Sequence, residues 1–440
     1  MIKKILYVAI STLSVQAYAT GYKMEFQSVS VLAGNGEAAA VEDAGTNWYN
    51  AAGNVYLPQQ AVFSAIDLYA PTKFTGTVNA PSVYEPLIGP SAFDYHATGS
   101  ASSFPNTIIP AIHYVMPFSS NRFAFGVSVV PAWGFKEDYG KESIARYNLV
   151  RVYTKTIDIA PSLSMKLNDQ WSVGLGPDFN YFSVLTETKV RTEGPTDLPF
   201  PAPPGTPGDS TQRGTSNQWK TGWHAGVLYR LSDATRFGLN YRSKIVMHLH
   251  GYSEYIVNHG PTFDTGDFEF TAPLPATTTL SAYHDVTPRW ALLGTVSYDQ
   301  WDTLQAYHAN AIIEPGSTVL SKPVLKNTDL NQNMENAWNF SVGTHYKLND
   351  EWMLRGSVKY EQTPTVDQDR QVAFPDGPKL GFQIGSRYQM TKKVALDLIY
   401  GHVFVNQTPI HDVNPLSNAV ANGHSRGHID LAGAQVVVNI

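Results

Sequence analysis

FSVGTHYKLNDEWMLRGSVKYEQ, residues Phe340 to Gln362, decides the fold. Phe340, Val342, Tyr346 and Leu348 alternate on one face, and beyond Asn349-Asp350 the apolar face continues through Trp352, Leu354, Val358 and Tyr360. The opposite face carries Ser341, Gly343, His345 and Lys347, then Arg355, Ser357 and Lys359. A period of two marks strands, and Asn-Asp between two such runs marks a tight turn. The stretch reads as a long hairpin, apolar on one side and polar or small on the other.

The pattern recurs. Leu380, Phe382, Ile384, Tyr388, Met390, Val394, Leu396, Leu398 and Tyr400 share a face opposed by Gln383, Arg387, Gln389 and Asp397. Trp223, Val227, Tyr229 and Leu231 lead through a turn into Phe237, Leu239 and Tyr241, against His224, Arg230, Arg236, Asn240 and Arg242. Short turns are predicted at Ser119–Asn121, Asn168-Asp169, Ser232–Ala234, Val286–Pro288, Asn349-Asp350 and Thr391-Lys392. Six hairpins, one run before them (Gln59 to Tyr69) and one after (His428 to Ile440) make fourteen strands. Each is expected to run about 10 to 15 residues. The other strand ends are joined by long polar segments such as Glu187–Gln218, Gly251–Pro275 and Asp302–Glu335.

Short turns at one end, long loops at the other and an even strand number predict an all-β fold, a 14-stranded antiparallel transmembrane β-barrel. Lipid offers no hydrogen bonds, so every strand edge must be closed. Trp171, Trp223, Trp290, Trp301 and Trp352 lie near strand ends and are expected at the membrane interfaces. A soluble set of β-sandwiches seldom sorts its loops by length in this way.

Composition narrows function. Among 440 residues there is no Cys, charged residues are 15 % and the net charge is −6. A disulfide framework and a thiolate metal site are excluded, and nothing provides the basic face a nucleic-acid partner requires. No G-x-S-x-G motif occurs, and His248/His250 and His424/His428 have metal-like spacing without supporting acids. The expectation is no enzyme, no metal and no cofactor.

Residues 1–19 show Lys3-Lys4, an apolar Ile5 to Val15 and Ala17-Tyr18-Ala19, the order of a secretion signal. No later apolar run reaches the roughly 18 residues of a spanning helix. Residues 20–57, rich in Gly, Ala and polar side chains, precede the first strand, and residues 58–440 form the barrel. A fourteen-stranded bore is wider than its own wall side chains fill. It must hold water or a plug, and the N-terminal segment is the candidate hatch.

Several stretches carry a resemblance. They are Ala39-Ala40-Val41-Glu42-Asp43-Ala44 with Thr46-Asn47-Trp48-Tyr49-Asn50-Ala51-Ala52-Gly53, then Phe237–Lys244, Pro275-Ala276-Thr277, Leu354-Arg355-Gly356, Tyr360–Asp367 and Phe374-Pro375-Asp376. In order and spacing, over essentially the whole mature chain, they resemble the FadL-like family of outer-membrane transporters for long-chain fatty acids and other hydrophobic compounds. The resemblance implies a luminal hatch, capture near the extracellular loops, an internal hydrophobic site, and sideways exit through an inward kink of the third strand. Where the family commonly has Asn-Pro-Ala, this chain has Asn50-Ala51-Ala52, and it ends on Ile440 rather than an aromatic residue.

Site expectations follow. Asn47, Trp48, Tyr49, Asn50, Ala51 and Gly53 are hatch or gating candidates. Gly126, Pro131, Pro161 and Pro177 are candidates for a weakened wall, because proline removes a ladder donor; Gly134 is a second candidate bend. Arg146, Arg242, Arg355, Arg370 and Lys379 are candidates for a fatty acid headgroup, since a buried carboxylate must be paired. Phe200, Phe263, Phe268, Phe270 and Leu274, placed on external loops, are candidates for a greasy capture groove. The expected partners are fatty acids or aromatic hydrocarbons, outer-membrane lipids and lipopolysaccharide, and the barrel assembly machinery. The barrel is expected to act as a monomer in a Gram-negative outer membrane. The competing function is a water-filled pore for small polar solutes.

Overall fold

The computed structural model describes residues 21–83, 90, 92–118, 122–193, 208–258, 260–266, 268–313 and 325–440. Residues 1–19, expected to be a secretion signal, and Phe200 lie outside these residues. Fourteen strands close an antiparallel barrel. They are β1 (Gln60–Tyr69 and Thr72–Ala80), β2 (Tyr95–Ser103 and Asn106–Pro117), β3 (Phe123–Val130 and Lys136–Asp138), β4 (Arg151–Lys166), β5 (Trp171–Arg191) and β6 (Asp209–Arg230). Then come β7 (Thr235–Arg242 and Ile245–Ile256), β8 (Phe268–Leu274 and Thr277–Thr287), β9 (Trp290–Asp299 and Ala306–Ile313) and β10 (Leu325–Asn331 and Ala337–Lys347). The last four are β11 (Trp352–Glu361), β12 (Lys379–Gln389), β13 (Val394–Asn414) and β14 (Ala419–Asn439). Closure is made by β14 against β1, from Gln60↔Asn439 outward to Asn79↔Val420.

Of the predicted turns, Asn168-Asp169, Ser232–Ala234, Asn349-Asp350 and Thr391-Lys392 fall between strands, Val286–Pro288 overlaps the strand that ends at Thr287, and Ser119–Asn121 lies outside the described residues. Their chemistry is local. The Asn168 side chain accepts from the Gln170 and Trp171 amides (2.9 and 2.8 Å), and Asn349 does the same for Glu351 and Trp352 (2.9 and 2.8 Å). The outward faces are apolar, with Phe340, Val342 and Tyr346 exposed on β10. Trp171 stacks on Tyr229 and Trp352 on Tyr388 near the short turns (4.4 and 4.6 Å between rings), as an interfacial girdle requires.

Two expectations change. The strands outrun the expected length: β5, β6, β13 and β14 span 21, 22, 21 and 21 residues, and much of each expected long loop is ladder. Beyond the membrane both faces meet water or loops, so alternation fades while pairing continues. Trp301 is not interfacial. It is fully buried in the lumen, edge-on to Tyr22 and Trp133 (5.4 and 5.9 Å), because it follows β9 on a short 3-10 turn.

Residues 21–57 occupy the lumen, and none of them is exposed. Helix α1 (Val29–Gly34) is capped by Ser28 and closed by Asn35, whose left-handed backbone (φ 50°) donates to the Val31 carbonyl at 2.7 Å. Helix α2 (Thr46–Tyr49) runs into a 3-10 turn at Ala51–Tyr56.

Candidate functional site

The stretch Asn47–Gly53 is fastened to the wall by amides. The Asn47 side chain donates to Ser128 (2.8 Å) on β3 and the Ala160 carbonyl (3.1 Å) on β4, while its oxygen accepts from Asn54 (2.7 Å) and Ser162. The Asn50 side chain donates to Ala38 (2.7 Å) within the hatch and Val227 (3.0 Å) on β6, and accepts from the Ala52 amide (3.1 Å). Ser164 and Ser172 donate to the Ala51 and Ala52 carbonyls (2.6 and 2.8 Å). Ala51 opens the 3-10 turn, the position where proline would fit, and here the Asn50 cap holds the bend. Gly53 is buried in the same turn. Tyr49 reaches the Glu25 carbonyl at 3.2 Å, and Trp48 lies under Arg242 at 3.4 Å from the ring centre. Glycine lets this stretch approach: a Cβ on Gly174 would meet the Ala51 backbone at 2.6 Å, and one on Gly126 would strike Asn47. Gly126 therefore makes room for the hatch rather than bending the wall.

A second attachment is ionic. Arg355 donates to Asp397 (2.6 Å) and to Glu42 of the hatch. Arg387 spans Asp397 (2.8 Å) and Asp43 of the hatch (2.7 Å). His345 adds a 3.1 Å contact to Glu42. Burial raises the Glu42 carboxyl, but the Arg355, His345 and Arg387 charges outweigh it and bring it down to about 2. Sequence reading assigned Arg355 to ligand and missed Arg387, Glu42, Asp43 and Asp397 as a set. The partners are 10 to 344 residues apart in the chain, and every bond to the hatch joins residues more than 300 apart.

Above the hatch lies an apolar cavity of about 150 Å³. Tyr22, Phe135, Phe182, Phe268, Phe270 and Tyr307 supply its aromatic lining, and no charged side chain lines it among the described residues. Of the capture candidates, Phe268, Phe270 and Leu274 line this cavity, on β8 rather than on a free loop. Phe263 packs elsewhere, with Val190, Tyr255 and Val257. Tyr22, Phe135, Phe182 and Tyr307 were not singled out from sequence, and Phe374, which also lines the cavity, was noted there only within the stretch Phe374-Pro375-Asp376. A usable signal existed in β5: the luminal parity is Ser172, Gly174, Gly176, Asp178 and Asn180, then turns apolar at Phe182 and Val184.

Below this cavity a polar chamber of about 60 Å³ is lined by Glu37, Trp48, Asp158, Asp178, Asn240 and Arg242, among others. Of the five headgroup candidates Arg242 lines this chamber, held by Asp178 (2.8 Å) and the Trp48 carbonyl (2.7 Å). Arg146 pairs with Asp209 at 2.8 Å, Arg370 bonds Asp367 and nearby carbonyls, and Lys379 pairs with Asp376. None of these three lines either chamber.

The wall is breached between β2 and β3. Their ladder ends at Ile112↔Val129. At Pro131 the chain of β3 leaves the sheet, and at Lys136–Asp138 it rejoins the ladder of β4, with the Asp138 amide donating to the Ser103 hydroxyl of β2 at 2.9 Å. Residues Asn106 to Ala111 of β2 pair with β1 alone. The displaced segment bonds to the hatch instead: Gly134 donates to the Tyr22 carbonyl and Met24 to the Ala132 carbonyl, both at 2.9 Å. Its Phe135 lines the apolar cavity and its Trp133 the polar chamber. Pro131 stands at the edge of the breach. Pro161 and Pro177 sit where the β4–β5 ladder lapses between Ile159↔Phe179 and Leu163↔Leu175, one and two strands away.

The comparisons with known proteins agree with this arrangement. The family model described as outer membrane protein transport protein (OMPP1/FadL/TodX) matches residues 10–438. The chain belongs to this family. A long-chain fatty acid transport protein of Escherichia coli O6:H1 is 25 % identical over 421 residues, covering 90 % of this chain and 89 % of that one. A Pseudomonas aeruginosa FadL homologue of known structure superposes with TM-score 0.80 at 20 % identity, covering 95 % of this chain and 99 % of that one. The Pseudomonas putida toluene transporter TodX superposes with TM-score 0.69 at 15 % identity, covering 97 % and 99 %. The chain is a β-barrel transport protein of a Gram-negative outer membrane.

Proposed function

We propose that the chain carries long-chain fatty acids passively inward across the outer membrane. Ligand is captured at the extracellular mouth, occupies the apolar cavity, and leaves sideways between β2 and β3 when the hatch limb around Tyr22–Met24 moves. The observation that carries this reading is the uncharged aromatic cavity standing against the breach, with Phe135 on the displaced strand itself. Its aromatic and aliphatic lining suits a hydrocarbon chain. The relatives named for fatty acid transport support the same choice. A filled lumen speaks against a water-filled pore.

The test sets direct binding of oleate and of toluene beside ion conductance of the refolded barrel in a planar bilayer. Saturable oleate binding with little conductance is expected. Toluene binding without oleate binding would replace the substrate class. Steady conductance with neither would overturn the transport reading.

A further inference from the structure

On the outside of the barrel, Lys73 of β1 and Arg426 of β14 stand directly opposite each other in the ladder. Their neighbours Phe74 and Ser425 are buried inward, so both cations point away from the lumen. Like charges directly opposite destabilise a strand pair. Among the described residues neither is paired with a carboxylate. Lys73 faces Ser102 on its other side, and the next outward pair is Thr75 with His424. Opposite Arg426, the β13–β14 ladder skips from Val405↔Gly427 to Thr408↔Ser425, leaving Asn406 and Gln407 unpaired. The acid nearest along this face of β14, Asp430, is taken by His402 (2.7 Å), Tyr400 (3.3 Å) and His428 (3.4 Å). An anion from outside the chain would relieve the repulsion between two cations that are otherwise ringed by hydroxyls, amides and imidazoles.

Position names the source. Tyr69 points outward four residues nearer the membrane, among the aromatic residues of the outer interface. Four residues at about 3.3 Å each, on a strand tilted by about 40°, place Lys73 roughly 10 Å above it. That is the height of the headgroup sugars and phosphates of the outer leaflet. We propose that Lys73 and Arg426 dock a phosphate of the outer-leaflet glycolipid, lipopolysaccharide. Arg426 supplies a planar fork suited to two phosphate oxygens, and Lys73 a point charge.

The test uses the full mature barrel in detergent. Binding of bisphosphorylated lipid A and of its dephosphorylated form is measured by native mass spectrometry. Wild type is expected to prefer the phosphorylated lipid at least tenfold, and a Lys73→Gln/Arg426→Gln double variant to lose that preference. Lys73→Glu gives Arg426 an internal partner. It should lower phosphorylated-lipid binding at least tenfold while leaving thermal unfolding unchanged or raised, a split that a purely structural role would not produce. Equal binding of both lipids by wild type, or an intact preference in the variants, would mean an apolar annulus only. Displacement of the lipid by equimolar inorganic phosphate would assign the site to free anion and overturn the lipid.

Discussion

Replacing Arg355 by Gln tests how the hatch is held. The Arg355 side chain is fully buried and bridges Asp397 on the wall to Glu42 on the hatch. Without it Asp397 keeps Arg387, but Glu42 keeps only His345. Removing one partner of a buried ion pair costs about 3–5 kcal/mol, because the remaining charge is left uncompensated. The wall cannot easily relax: β11 is laddered to β10 and β12 along nearly its whole length. The cost therefore falls on the hatch contact. At about 1.4 kcal/mol per factor of ten, the displaced-to-seated ratio should rise by roughly two to nearly four powers of ten. In a planar bilayer this appears as frequent channel openings, and in solution as faster proteolysis of residues 21–57. Arg355→Lys keeps the charge but not the fork and should fall between. The pH dependence has a defined sign. The Glu42 carboxylate, brought down to about 2, contributes stability that is present above its ordinary value of 4.5 and lost as pH falls toward 2. Wild type should stay closed at pH 5 and begin to leak below about pH 3. Wild-type conductance and proteolysis in Arg355→Gln would refute the ionic attachment.

Asn47→Ala takes away the acceptor shared by the Ser162 hydroxyl and the Asn54 amide, while Ser128 keeps His113. A cost of about 1–3 kcal/mol is expected, read as increased conductance with an intact heat-resistant barrel. Gly174→Val drives side-chain atoms into the Ala51 backbone, so the hatch should unseat while the ladder survives; unchanged protease resistance would refute the close approach. Ala272→Trp fills the apolar cavity and should weaken oleate binding at least tenfold without altering hatch proteolysis.

The outward half of this molecule was legible and the inward half was not, for one physical reason. Lipid imposes a single demand on every outward position, so alternation and turn residues such as Asn168 and Asn349 suffice to count strands and place hairpins. Luminal positions answer to different neighbours: Gly174 to a hatch backbone, Arg355 to two distant acids, Phe182 to a cavity. Parity could have flagged Phe182, since an aromatic residue on a polar face is anomalous. Nothing local distinguishes Arg355 from a ligand-binding arginine, because its partners are set by closure of the barrel around the hatch. Pro131 was legible as a ladder breaker, whereas the departure of β3 at that point depends on the Tyr22 and Met24 bonds that receive it.

Those bonds bear on how a passive route can work. The hatch has two unlike parts. From Asn35 to Ala52 it is tied to the wall by the amide set and the Glu42–Asp43 ion pairs. The limb at Tyr22–Met24 is tied chiefly to the displaced part of β3 and, through Lys23, to Asp299 at 3.0 Å. Tyr22 also packs on Phe135 and Phe374 in the apolar cavity, at 5.0 and 4.5 Å between rings. A ligand pressing into that aromatic cluster thus meets the same residues that seal the breach. On the proposed route it can shift the limb only by its differential affinity for the two positions. The limb has far fewer attachments to lose than the anchored part. Movement of the limb alone is therefore the least costly opening, and it leaves the rest of the hatch seated against ion flow.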